Sequence, residues 1–109
     1  MRLALRVICN SRITKAVKQR VKELTDHLSI SNDLDFSPYW KDDGCDILEV
    51  DAKITDPNHS TIEQYIQSIS GVKTLSVMCL SDEWEGAYHA DLDELHSTKD
   101  VAFVVCNIF

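Results

Sequence analysis

Apolar positions along this chain follow two different spacings, and the switches between them mark the elements. Leu3 to Cys9 is a run of apolar and β-branched residues broken by Arg6 alone, which predicts a strand. Ile13, Ala16, Val17, Val21, Leu24 and Leu28 then recur at helical spacing behind Ser11, a good capping residue, and predict a helix over about residues 12–29. Residues 30–45 are turn-rich and acidic, with Phe36, Tyr39 and Trp40 gathered around Pro38. A short edge strand near 34–40 fits there, because proline has no N–H to give to a strand on both sides. In 46–55 the alternation is strict: Leu48, Val50, Ala52 and Ile54 face one way and Glu49, Asp51 and Lys53 the other, so this strand has one wet face.

Asp56-Pro57-Asn58 reads as a turn, and Ser60-Thr61-Ile62-Glu63 as a capping box for a second helix with Ile62, Tyr65, Ile66 and Ile69 on its apolar stripe. Gly71 is placed as the stop of that helix. Residues 74–80 predict another strand, 82–100 an acidic, aromatic loop with a helical turn around 91–96, and 101–109 a strand apolar on both faces and therefore interior. The expected fold class is α+β: two helices on one face of a mainly antiparallel sheet of four to five strands, like a split βαββαβ arrangement with an extra C-terminal strand. At 109 residues the chain is expected to be one domain, 1–109.

Charge changes the picture more than composition does. Residues 1–28 carry seven basic side chains (Arg2, Arg6, Arg12, Lys15, Lys18, Arg20, Lys22) against Glu23 and Asp26. Residues 29–109 carry four lysines against sixteen carboxylates, giving a net charge of −7 for the whole chain. Such a field repels nucleic acid, anionic membranes and acidic substrates, and attracts basic surfaces. Phosphate contacts from the basic helix alone do not offset it, so neither a nucleic-acid nor a membrane partner is expected. No apolar run reaches the ~20 residues that span a bilayer, and the run after Arg2 ends too early for a signal peptide. A soluble cytoplasmic protein is the expectation.

Candidate chemistry is sparse. The four cysteines form no C-x-x-C pair and read as reduced, mostly buried thiols rather than a zinc site, a disulfide framework or a catalytic nucleophile. His89, Asp91, Asp93, Glu94 and His96 crowd together, and on a short helix His89, Asp93 and His96 would share a face suited to a transition metal. A solvated acidic loop explains the same residues more simply, and no metal, cofactor or catalytic residue is expected. With three glycines there is no phosphate-cradling loop. Two segments remain in which carboxylates flank aromatic residues: Tyr39, Trp40, Asp42 and Asp43, and then Glu83, Trp84, Glu85, Tyr88, Asp91, Asp93 and Glu94. Tyrosine and tryptophan are frequent interface anchors, and neighbouring carboxylates steer a basic partner into register.

Those two runs, 42–51 with Trp40 and 82–94 with Trp84 and Tyr88, carry a whole-chain resemblance to the small acidic immunity proteins of contact-dependent growth inhibition and related polymorphic-toxin systems of bacteria. The basic first helix departs from the all-acidic pattern. The resemblance implies a short, cytoplasmic, non-enzymatic protein without cofactors. It would bind a cognate toxin domain, often a basic nuclease, and cover its active or substrate-binding surface. Those carboxylates and aromatics would be the contact residues, 82–94 first and 39–43 second. The rival expectation is a small-ligand or metal-binding α+β domain, or an enzyme, that uses the 82–100 loop.

Overall fold

The first apolar run forms the strand around which the rest of the sheet is ordered. It is β1 (Arg2–Asn10), with a single 3-10 turn (Ser11–Ile13) leading into α1 (Thr14–Leu28). There follow β2 (Ser29–Pro38), β3 (Cys45–Ile54), α2 (His59–Ser70), β4 (Val77–Cys79), β5 (Gly86–Ala90) and β6 (Val101–Ile108). The computed structural model describes residues 1–55, 58–72, 74–79, 86–90 and 100–109.

The six strands form one sheet in the order β2-β3-β1-β6-β5-β4, with every neighbouring pair antiparallel. β1 and β2 are therefore parallel to each other with β3 between them, and β3 and β6 are parallel with β1 between them. The residue pattern predicts four to five strands; the described residues form six. Gly86–Ala90, expected as loop, is β5, a five-residue strand that is short and carries no β-branched residue. The C-terminal strand lies beside β1 in the sheet interior, as its apolar sequence predicts. The 74–80 strand shortens to Val77–Cys79, with Leu75 buried outside it. The edge strand expected near 34–40 instead starts at Ser29, directly after α1, and ends at Pro38.

Both helices pack on one face. Leu3, Leu5 and Val7 of β1, Leu48 and Val50 of β3, and Val104 of β6 meet Val17 and Val21 of α1 and Ile62, Ile66 and Ile69 of α2 in a single buried cluster. Burying each such side chain contributes about 1.5–3 kcal/mol. Every buried side-chain polar atom among the described residues has a partner. Thr25 of α1 is hydrogen-bonded to the Tyr65 hydroxyl of α2 and donates to the Val21 carbonyl, so the two helices share a polar tie inside the core.

The N-caps fall one or two residues before where the sequence places them, while the Gly71 stop stands as expected. Asn10, not Ser11, opens the first helical segment, its side chain accepting from the Arg12 N–H at 3.0 Å. Ser11 turns instead to the β2–β3 loop, its N–H and hydroxyl both donating to the Gly44 carbonyl. Asn58 caps α2 by accepting from the Thr61 N–H at 2.7 Å, so the helix starts before the Ser60 box. Gly71 closes it with φ of 77°, its N–H reaching the Gln67 and Ser68 carbonyls. Arg20 braces this end: one guanidinium nitrogen donates to the Ile69 carbonyl at 2.7 Å and the other lies 3.2 Å from Asp100. A cation at a helix C-terminus offsets the negative end of the dipole.

Candidate binding face

Strand alternation sends one set of side chains into the helix layer and the other onto the opposite face, on which no described element packs. The registers define rows across that face. One row runs Met78, His89, Val105, Arg6, Glu49, Asp35 from β4 to β2, and the next runs Ala87, Asn107, Ala4, Asp51, Asp33 from β5 to β2. The open face is therefore graded. Its β4–β6 side is apolar, with Val105, Phe103 and the exposed Met78; β1 contributes two arginines; the β3–β2 side is acidic. His89 stands edge-on to Phe103, with ring centroids 6.5 Å apart.

The acidic side is built from like charges set directly across the β2–β3 ladder: Asp33 opposite Asp51, and Asp35 opposite Glu49. Such pairs destabilise a sheet by a few tenths to about 1 kcal/mol each. The inner carboxylate of each pair has an internal partner, Arg2 for Asp51 and Arg6 for Glu49, the latter at 4.0 Å. These bridges are half-exposed or more, and such pairs contribute little stability. The outer two, Asp33 and Asp35, have no ion-pair partner among the described residues. Between the rows lies a shallow groove of about 470 Å³, floored by Ala4 and walled by Arg6, Asp33, Asp35, Glu49 and Asp51. A small residue at position 4 makes the depression, and four carboxylates against one arginine in its wall complement an arginine or lysine from outside in sign.

The second feature is the β2–β3 loop. The Tyr39 N–H donates to the Cys45 carbonyl at 3.0 Å and the Asp42 N–H to the Tyr39 carbonyl at 3.2 Å, so the turn is held by its own backbone. Trp40 stands out from it at 81% exposure, tilted against Tyr39, with the Lys41 ammonium 4.9 Å from its ring centre. Asp42 serves the turn, accepting from the Gly44 N–H at 2.9 Å, while Asp43 is exposed.

The residues singled out from the sequence separate accordingly. Tyr39, Trp40, Asp42 and Asp43 share one exposed loop. Tyr88 is placed otherwise: it is fully buried on the helix-facing side of β5, its hydroxyl hydrogen-bonded to His59, so its ring is core rather than contact surface. Glu83, Trp84, Glu85, Asp91, Asp93 and Glu94 lie outside the described residues, as do His96 and the helical turn expected around 91–96. Among the described residues no group of three His, Cys, Asp or Glu side chains is placed to hold a metal ion. Burial raises the thiol pKa of Cys9 and pushes that of Cys106 up to about 12; burial and then the nearby Asp42 raise that of Cys45. Raised values disfavour the thiolate that nucleophilic chemistry needs. No described helix is long and apolar enough to cross a membrane.

Asp33 and Asp35 are the residues that sequence reasoning missed. Their signal is the alternation of Asn32, Leu34 and Phe36 with Asp33 and Asp35, hidden in a stretch whose Ser, Asn and Asp content reads as turn. The basic first segment also finds internal work: the four ion pairs among the described residues use Arg2, Arg6, Arg20 and Lys22. Lys18 sits over the Phe36 ring, 4.1 Å from its centre. No protein-family model matches the chain, and no curated protein or solved structure matches it.

Proposed function

We propose that this chain is an immunity-type binding protein, without enzymatic activity or cofactor, that acts in the cytoplasm by covering the basic surface of a cognate toxin domain, a nuclease by preference. The observation that carries this reading is the doubled like-charge ladder of β2 and β3. Two carboxylate pairs are aligned where they weaken the sheet, and the outer member of each has no ion-pair partner among the described residues. An external array of lysine and arginine turns that cost into attraction. A nuclease carries such an array to hold phosphates, and carboxylates at matching spacing compete for it. Close charge pairs across a nuclease–inhibitor interface couple by about 1.5–7 kcal/mol, so a few of them, with Trp40 as an aromatic anchor beside the face, support tight binding.

The contact surface on this reading is Asp33, Asp35, Glu49 and Asp51 with the Trp40–Asp43 loop, and the 83–94 carboxylates with Trp84 form a second candidate contact. The test is inhibition of a cognate toxin domain, sought in the reading frame upstream of this chain. Activity should fall linearly to zero at one equivalent and association should slow as salt is added. Inhibition far below one equivalent, or an association rate indifferent to salt, contradicts the proposal. Trp84→Ala combined with Glu85→Lys measures the second contact in the same assay.

A further inference from the structure

We infer that the outer edge of β2 is itself the docking element, taking up an extended basic segment of the partner as a seventh strand. This rests on the acidic-face reading above and specifies how the partner is held. Among the described strands β2 is hydrogen-bonded to β3 alone and ends the sheet, and at ten residues it is long for a strand left at an edge. The phase of its backbone follows from one bond. The Tyr39 N–H donates to the Cys45 carbonyl, and pairing alternates along an antiparallel ladder. Ser37, Asp35 and Asp33 therefore direct their backbone groups inward to β3, and Leu34 and Phe36 direct theirs out of the sheet. Pro38 shares that outward phase, where its missing N–H takes nothing from the β2–β3 ladder.

The side chains define the occupant. A strand added along β2 places alternate residues on the open face, next to Asp33 and Asp35, where lysine or arginine finds carboxylates that have no ion-pair partner among the described residues. The intervening residues pass Leu34 and Phe36 on the helix side, where Lys18 already lies over the Phe36 ring. A second copy of this chain is the wrong occupant: two β2 strands side by side would bring aspartates against aspartates, an arrangement that destabilises pairing and that natural edges use to prevent it. An extended, alternately basic segment is the strand chemistry that both the backbone and the charges accept.

The probe is a decapeptide of alternating lysine and threonine, titrated into the isotope-labelled full-length chain. The expected result is slowed amide exchange at Leu34 and Phe36, with affinity lowered about tenfold by Phe36→Pro, which deletes one outward donor and no ladder bond. Phe36→Val, which keeps the N–H, measures what the lost ring contributes, and Phe36→Pro should weaken binding well beyond it. A glutamate–threonine peptide should not bind. Binding that falls on Asp33→Asn with Asp35→Asn but ignores Phe36→Pro, with exchange at Leu34 and Phe36 unchanged, overturns edge pairing and leaves the acidic face standing. No binding of the lysine peptide also overturns it, while the toxin titration reports separately on the face. A concentration-dependent dimer that Phe36→Pro abolishes assigns the edge to a second copy and overturns the occupant.

Discussion

β2 and β4 close the same sheet on opposite sides and are built in opposite ways. β4 has three residues, pairs with β5, and leaves little backbone open. β2 has ten, ends at a proline, and carries two aspartates on its open face. A short edge needs no guard against pairing with foreign strands, whereas a long one does, and inward-lying charge, edge charge and proline are the usual devices. On β2 these devices also select: they repel a like strand and receive a basic one. The contrast extends inward. Next to β4 the sheet is held by buried contacts such as Tyr88, while next to β2 the open face carries Asp33 and Asp35, which have no ion-pair partner among the described residues, so substitutions on the two sides should separate stability from binding.

The largest expected effect is on the β4 side. Tyr88→Ala empties a fully buried site between β4 and β6 and should cost about 3–5 kcal/mol in urea unfolding; a loss under about 1 kcal/mol would mean that this half is not packed as described. On the β2 side, Asp33→Lys with Asp35→Lys should leave unfolding unchanged or raise the midpoint slightly, because two like-charge pairs are relieved. A clear loss of stability there would break the contrast between the edges. Gly71→Ala tests the helix that packs on β4: its left-handed φ of 77° strains any side chain, and about 1 kcal/mol of stability should be lost.

Alkaline titration sharpens the same comparison. Cys106 lies across from Tyr88 in the sheet, and burial raises both groups, the thiol up to about 12. A raised folded-state pKa means that the unfolded chain ionises first. The stabilisation is complete below the ordinary thiol value and is lost as pH climbs from about 9 toward the folded value. Urea midpoints should fall over that window, and Cys106→Ala should flatten part of the fall. The smallest expected effect is that of Trp40→Ala, which at 81% exposure should alter unfolding by less than about 0.5 kcal/mol while weakening toxin binding.

Elements whose residues face a core were legible in the sequence, because burial imposes a period. The alternation of Leu48, Val50, Ala52 and Ile54 and the helical stripe of Val17, Val21 and Leu24 carry through to the folded chain. Where burial is slight, the period fades. β2 has half-buried Asn32 and Leu34 but no fully buried residue, and β5 is short, so in the sequence both resemble loop, wholly or in part. The candidate face was half legible. The wet side of Glu49 and Asp51 is visible in the alternation, but their juxtaposition with Asp35 and Asp33 depends on a register that no local pattern encodes. Tyr88 shows the converse limit: amid acidic neighbours an aromatic reads as an anchor, yet its strand turns it into the core.

The central claim is that the carboxylates of β2 receive a basic protein, and calorimetric titration of the cognate toxin domain into the parent chain and into the Asp33→Lys, Asp35→Lys variant at low salt tests it most directly. Reversal of two charges at close interface pairs predicts a dissociation constant weaker by about 100-fold or more, with the fold retained. An unchanged dissociation constant in a folded variant contradicts the account.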